Sequence, residues 1–399
     1  MTIRIDEFLD KVLDEDHSIV IKRLSANDTG ATEAHQAGPY IPKDIAFALS
    51  PGLREGKSNP DQFFDCDVAS HSVTRYSRLV WYNTGSRNEC RITNWATRGR
   101  RDSVVRKSQT GGILLLAFAT SPLLGIEHCW AWFCESEAEE EAVELRFGAI
   151  EPGSFWFKHL GQIKTLKGRA AAASPCSLTT ANLPGGWLAS FPDASEIVNK
   201  TIEIMPARAH LSDDRLLLRR DCEFLIFKSV EQVHVLPKIN HGFTSVDAFV
   251  DLANAVTNRR KARSGRSLEL HLKLIFDESE IQYSHGAQTE GKKTPDFLFP
   301  SAACYHDSSF SSENLRMLGV KTTCKDRWRQ VISEADRLPI KHLATLQEGV
   351  SEPQFDEMQR AGIVLVVPKR LHKAYPMAVR PKLLTLERFI EEVRASAAA

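Results

Sequence analysis

Three ionisable residues in the last third of the chain have the types and spacing that phosphodiester hydrolysis needs. Asp296 stands in Thr294-Pro295-Asp296-Phe297, at a turn into an apolar strand. Lys321 ends a second strand, and Glu334 falls on the helix expected after it, Lys325 to Asp336. Two carboxylates are hard oxygen ligands suited to Mg2+. Such a metal polarises a phosphate oxygen and acidifies a bound water, which a nearby ammonium positions. The usual nuclease pattern has the second acid two residues before the lysine, on the same strand. Gly319 occupies that position, so the acid has to arrive from Glu334. Taken alone, the triple also fits a surface ion pair. Lys325, Asp326 and Arg327 follow at the first turn of the expected helix. Arginine can bind guanine O6 and N7 together, and aspartate can accept from cytosine N4.

The elements that must hold these groups divide the chain in two. At 399 residues it is long enough for two domains. The first 160 residues alternate short strand-like runs (SIVIKRL, SRLVWYN, GILLLAF, HCWAWFC) with polar loops, as a mainly β domain does. One loop, Ser25 to Pro42, is rich in Asn, Asp, Thr and His. The stretch Lys164 to Gly186 combines small residues, Pro and Gly with little periodicity and reads as a linker. Beyond it, helical periods in Ser245 to Val256, Gly265 to Phe276 and Pro353 to Ala361 alternate with strands. The strands are expected over Pro295–Phe299, Leu315–Lys321, His342–Leu346 and Ile363–Val367, giving an α/β domain.

Lys plus Arg and Asp plus Glu number 51 each, but the charge is segregated. Residues 71–110 hold nine cations against two acids, interleaved with Trp81, Tyr82 and Trp95. A second basic run covers Arg259, Arg260, Lys261, Arg263 and Arg266, and Glu135 to Glu144 is acidic. Two basic runs in separate domains favour nucleic acid over a merely solvated face. The acidic N-terminal stretch is no secretory signal. The most apolar run, Gly112 to Ile126, is too short to span a bilayer and is broken by Pro122. A cytoplasmic, prokaryotic protein without membrane contact is expected. The eight cysteines form no zinc-type pair and read as reduced thiols, mostly buried.

Longer motifs carry a family resemblance over nearly the whole chain. They are RLSANDTGAT, HQ, YIP, RNE, RIT and Trp95 in the N-terminal half. In the C-terminal half they are NRRKARSGRSLELHL, TPDFLFPSA, ENLRML, VKTTCKDRWRQ, EAD and LQEGVS. In these the chain resembles the EcoRII family of type II (IIE) restriction endonucleases. The resemblance implies a multidomain α and β protein. Residues 1–165 would form an effector-DNA-binding β-pseudobarrel like that of plant transcription factors. Residues 166–184 would link it to a PD-(D/E)XK nuclease domain over 185–399. It further implies a homodimer that makes Mg2+-dependent staggered double-strand cuts before CCWGG. Such an enzyme is autoinhibited by its N-terminal domain until that domain binds a second site on double-stranded DNA. A partner methyltransferase protects the same site. A nuclease of the same fold with another base preference, or an inert DNA-binding regulator, are the competing readings.

Residue by residue, the resemblance makes Asp296, Lys321 and Glu334 catalytic, with Asp296 and Glu334 on the metal. It makes Lys325, Asp326 and Arg327 the CC:GG readout. It places a flipped central base between Arg220 and Phe224, where the family's aromatic is Tyr. Arg23, Asn27, Asp28, Thr29, His35 and Tyr40, with Arg87, Asn88, Glu89 and Arg91, would grip effector DNA. Two departures stand out. Cys90 replaces a Lys, which implies a lost cation and weaker or altered effector binding. Glu33-Ala34 replaces Gly-Gly, which implies a stiffer arm.

Overall fold

A computed structural model of the chain describes residues 4–32, 38–56, 58–85, 87–95, 103–167 and 174–398. It divides into two units. One comprises Met1–Ala170 with Gln347–Phe355 and Lys373–Pro381, and the other comprises Ala171–Leu346, Asp356–His372 and Lys382–Ala399.

The first unit is built on nine strands: β1 (Ser18–Arg23), β2 (Tyr40–Ile41), β3 (Asp61–Val68), β4 (Val73–Tyr82), β5 (Glu89–Thr93), β6 (Ile113–Ser121), β7 (Gly125–Phe133), β8 (Ser154–His159) and β9 (Gln162–Lys167). Their order is β2-β5-β4-β3-β7-β6-β1-β8-β9. All neighbours are antiparallel except the parallel pair β3 and β7. The apolar runs in β1 and β6 are continuous because both faces are covered. Val20, Leu114, Leu116 and Phe118 point into one core with Phe64, Cys66 and Phe133. Ile19, Ile21, Ile113 and Leu115 point the other way, against α1 (Ile5–Asp14) and α3 (Glu137–Phe147) through Phe8, Leu9, Val12 and Val143. α2 (Lys43–Leu49) closes the first core through Ile45, Ala46 and Leu49. Side chains alternate across a strand, so one run can feed two cores.

The second unit carries five strands, β10 (Ser284–His285), β11 (Phe297–Phe299), β12 (Arg316–Val320), β13 (Lys341–Ala344) and β14 (Ile363–Val366), in that spatial order. The β10, β11 and β12 pairings are antiparallel, and β12, β13 and β14 run parallel. Its helices are α4 (Gly185–Ala189), α5 (Ala194–Ile204), α6 (Ser212–His241), α7 (Val246–Glu278), α8 (Ala302–His306), α9 (Arg329–Ile332), α10 (Glu352–Arg360, whose first turn belongs to the first unit) and α11 (Leu386–Ala398). The C-terminal half of α7 and α11 cover the sheet. Leu268, Leu272, Ile275 and Phe276 meet Phe297, Phe299, Leu318 and Phe389 there.

Four expectations change. Ser245 to Val256 and Gly265 to Phe276 are parts of one 33-residue helix, because the polar residues between them continue α7 without a cap. The helix expected over Lys325 to Asp336 is four residues long and ends before Ala335, which has φ +50°. Residues 174–184, read as linker, are packed: Cys176 and Leu183 share a core with Trp187, Ile197, Ile226 and Phe227. Cys176 is disulfide-bonded to Cys222 of α6, so two of the eight cysteines are not thiols, and the other six form no disulfide.

Candidate active site and nucleic-acid interface

Asp296 and Lys321 sit at adjacent strand ends. Asp296 immediately precedes β11 and Lys321 immediately follows β12. Phe297 pairs with Leu318, so the register carries Asp296 to the level of Gly319. There its Oδ2 accepts the Val320 N–H (2.6 Å). The Lys321 N–H donates to the Ala344 carbonyl (3.0 Å), anchoring the strand end on β13. Glu334 reaches the same strand from the turn after α9. A Cβ placed on Gly319 would lie 3.7 Å from Glu334 Oε2 and 3.0 Å from Val331 Cγ2. The carboxylate therefore stands at the level two residues before Lys321, where Gly319 leaves room for it.

Both carboxyls are raised, chiefly by burial. Burial pushes the Glu334 carboxyl up to about 7, and the Asp296 charge adds to the rise against Lys321, Lys293 and Lys341. Burial also raises Asp296, opposed first by the Val320 N–H and then by Lys321. Glu334 Oε2 is buried with no hydrogen-bond partner among the described residues. An orphaned carboxylate oxygen beside a second carboxylate is the donor chemistry that a divalent cation satisfies. Among the described residues no group of three or more His, Cys, Asp and Glu is placed to hold a metal, so a cation here would have to rely on two carboxylates. That is the number on which Mg2+ commonly relies beside water and phosphate.

Lys325, Asp326 and Arg327 occupy the turn that leads into α9, not its first helical turn. Lys325 is buried and lies 4.0 Å from Asp326, which also pairs with Arg329 (3.3 Å).

Arg220 and Phe224 lie one helical turn apart on α6, so they share a face, and that face meets α7. Arg220 is buried and its NH1 donates to Ser267 Oγ (2.7 Å). The Arg263 guanidinium lies 5.2 Å from the centre of the half-buried Phe224 ring. The second basic run is thus partly consumed inside the unit. Arg263 pairs with Glu223, Arg260 with Glu231, and Arg259 covers Phe191. Glu223, Ser267 and His271 escaped sequence reading. Their one signal is the spacing 263, 267, 271 on α7, which repeats every helical turn.

In the first unit the expected effector-binding residues separate into two groups. Arg23 is buried and engaged by Glu140 (2.6 Å), Glu144 (2.8 Å) and the carbonyls of Ile150 and Gly111. The acidic run of α3 therefore serves as its counter-charge. Asp28 is fully buried against Lys22 (2.7 Å) and accepts the N–H groups of Ser25 and Tyr40. Thr29 bonds Thr110 (2.7 Å), and Arg91 is held by Glu89 and the Gly38 carbonyl. These groups shape the loop from within. Asn27 and Tyr40 are half-buried, while Arg87 and Asn88 are exposed. His35 and the Glu33-Ala34 pair lie outside the described residues, as do Arg98, Arg100 and Arg101.

Two readings are corrected here. Cys90 lies wholly in the core between β4 and β2, where burial pushes its thiol up to about 12. A side chain at that position points into this core, which does not suit a cation reaching for phosphate. Trp95, counted among the interleaved aromatics, is also core, with its indole N–H on Ser77 Oγ (2.6 Å).

Comparison with known proteins places both halves. Residues 14–162 match the family model described as "Restriction endonuclease EcoRII, N-terminal", and residues 227–390 match "EcoRII C terminal". The type II restriction enzyme EcoRII of Escherichia coli is 45% identical over 387 residues, covering 95% of this chain and 94% of that protein. The type II restriction enzyme SsoII of Shigella sonnei is 26% identical over 151 residues, 35% of this chain and 48% of that protein. Among solved structures, metal-depleted Ecl18kI in complex with uncleaved, modified DNA is similar with TM-score 0.45 at 20% identity, over 54% of this chain and 84% of its own. A PspGI–substrate DNA complex is similar with TM-score 0.43 at 14% identity, over 53% and 95%. Among the described residues no helix is long and apolar enough to cross a membrane.

Proposed function

The chain belongs to the EcoRII family of type II restriction endonucleases, a two-part architecture of N-terminal pseudobarrel and C-terminal PD-(D/E)XK nuclease, and on that premise we propose that it makes Mg2+-dependent staggered cuts at CCWGG-type sites. The observation that carries the catalytic part is the orphaned Oε2 of Glu334 beside Gly319, at the level of Asp296 and next to Lys321. Asp296 and Glu334 would hold Mg2+, which when bound polarises the scissile phosphate and acidifies a water. The Lys321 ammonium orients the attacking water and balances charge that develops on the phosphate. The Val320 N–H fixes one Asp296 oxygen and so aims the other. Burial of Glu334 thins the water around the reacting group, which strengthens each of these interactions.

Specificity is assigned to Lys325, Asp326 and Arg327, which the α9 turn sets within a few residues of Lys321. Arg220 and Phe224 are assigned to the flipped central base, whose removal from the stack makes either central pair acceptable. Residues 1–165 are assigned to effector DNA, with 166–184 as the connecting stretch and 185–399 as the nuclease. Within the effector set, Asn27, Tyr40, Arg87 and Asn88 would touch DNA, while Arg23, Asp28, Thr29, Glu89 and Arg91 hold the arms in shape. Activation by a second site, a homodimer and a methyltransferase acting on the same sequence complete the proposal.

The test is digestion of an unmethylated plasmid carrying several CCWGG sites, with Mg2+ and with EDTA, followed by sequencing of the ends. Staggered ends before CCWGG that appear only with Mg2+ are expected. Cuts at another sequence would keep the nuclease and overturn the assigned readout. Cutting in EDTA would overturn the metal site.

A further inference from the structure

A buried ionic chain runs between α6 and α7, beside the residues assigned to the flipped base. On α6, Arg220, Glu223, Phe224 and Phe227 share one face. On α7, Arg263, Ser267 and His271 share another. Ser267 Oγ bridges the two helices, accepting from Arg220 NH1 (2.7 Å) and donating to Glu223 Oε2. The other Glu223 oxygen takes Arg263 NH1 (3.3 Å). The Arg263 guanidinium lies over the rings of Phe224 (5.2 Å) and Phe227 (5.3 Å). His271 Nε2 is 3.5 Å from Glu223. Glu223, Ser267 and Arg220 are each 2% exposed.

We propose that Glu223 and Ser267 are positioning residues for the flipped base, Ser267 fixing Arg220 directly, and Glu223 fixing Arg220 through Ser267 and Phe224 through Arg263; this rests on the assignment of Arg220 and Phe224 made above. Stability alone does not call for such a chain. The surrounding helix contacts are Leu, Ile and Phe, and an apolar set of similar volume usually serves a core as well or better. The chain does give Arg220 a single orientation. A free guanidinium would lose rotamer freedom on meeting a base, whereas one already tied to Ser267 loses less. Burial opposes charge on Glu223, but Arg263 and its other partners hold its carboxyl down at about 2, so the anchor stays ionised across the working pH range.

The test uses the full-length protein, Ca2+ in place of Mg2+, and a duplex with 2-aminopurine at the central adenine of CCAGG. The probe brightens when its base leaves the stack. Ser267→Ala and Glu223→Gln should lower the bright population about tenfold, the factor expected for losing a hydrogen bond to a charged group. Ser267→Thr, which keeps the hydroxyl, should retain it. Unfolding midpoints are measured alongside. Variants that lose stability yet keep full enhancement would reduce the chain to a structural role and overturn the proposal, as would loss of enhancement in Ser267→Thr equal to that in Ser267→Ala. Arg220→Ala and Phe224→Ala separate the two layers. If these keep the enhancement, the pocket assignment itself falls. If they lose it while Ser267→Ala and Glu223→Gln keep it, the pocket stands and only the positioning role fails.

Discussion

Glu334→Gln should make the metal-free protein more stable and catalytically dead. The Glu334 carboxyl is raised from its ordinary 4.5 to about 7, chiefly by burial and then by Asp296. At about 1.36 kcal/mol per pKa unit that is ~3 kcal/mol against the ionised form. Solvent reaches part of the side chain, and screening leaves about 1–2 kcal/mol. The sign follows from the raised value. Below about pH 4.5 both folded and unfolded states are protonated and the carboxyl costs nothing. As pH rises through 7 the unfolded state is already ionised, the folded state is made to ionise, and the whole penalty applies. Glutamine carries no such penalty. Unfolding of the full chain in EDTA should therefore give a variant about 1–2 kcal/mol more stable at pH 8, a rise of roughly 2–4 °C per kcal/mol. The gain should vanish near pH 4.5. Cleavage with Mg2+ should fall to background. A variant equal to or less stable than the parent at pH 8, or a gain independent of pH, would refute the view that Glu334 is buried at a cost to its ionised form.

Asp296→Ala should abolish cleavage while cognate DNA is still bound in a gel-shift assay; residual cutting would move the metal elsewhere. Arg23→Ala should cost about 3–5 kcal/mol in urea unfolding, since Glu140 and Glu144 lose a buried counter-charge. A cost under about 1 kcal/mol would mean that those carboxylates find water. For Glu223, with its carboxyl down at about 2, the folded value lies below the unfolded one. Its contribution is present above about pH 4.5 and lost as pH falls towards 2, so parent and Glu223→Gln should converge in stability on acid titration. A truncate beginning at residue 174 should cut with less need of a second site. One beginning at 185 loses the buried Cys176 and Leu183 and should unfold earlier by thermal melt.

Strands were the most readable elements, because β-branched apolar runs leave few alternatives: Ile363–Val366 falls inside the run expected as Ile363–Val367. Helix length was not readable. The middle of α7, TNRRKARSGRS, has no apolar period because its buried face there is ionic, with Arg263 and Ser267 facing Glu223. The same fact hid the positioning residues, since a buried Arg looks like a surface Arg in sequence. The Cys176–Cys222 bond joins positions 46 apart and has no local signature. The inward face of β5 that Cys90 occupies has no signal in a Lys-to-Cys difference alone.

Gly319 shows how the active site and the fold were solved together. Strand pairing alone brings Asp296 to the level of Gly319, two residues before Lys321 at the end of the neighbouring strand. It cannot supply the second acid, because the strand position that would carry one holds no side chain. The turn after α9 supplies it, and the fit is tight: Val331 already lies 3.0 Å from where a Gly319 Cβ would be. Space for Val331 fixes α9 against β12, and α9, ending one residue short of Ser333, then sets Glu334 over the strand. A Cβ at 319 would crowd Val331 and come into contact with the carboxylate. The absent side chain that made the triple look incomplete in sequence thus leaves the space that Val331 fills, and with it the seat of Glu334 in the proposed site.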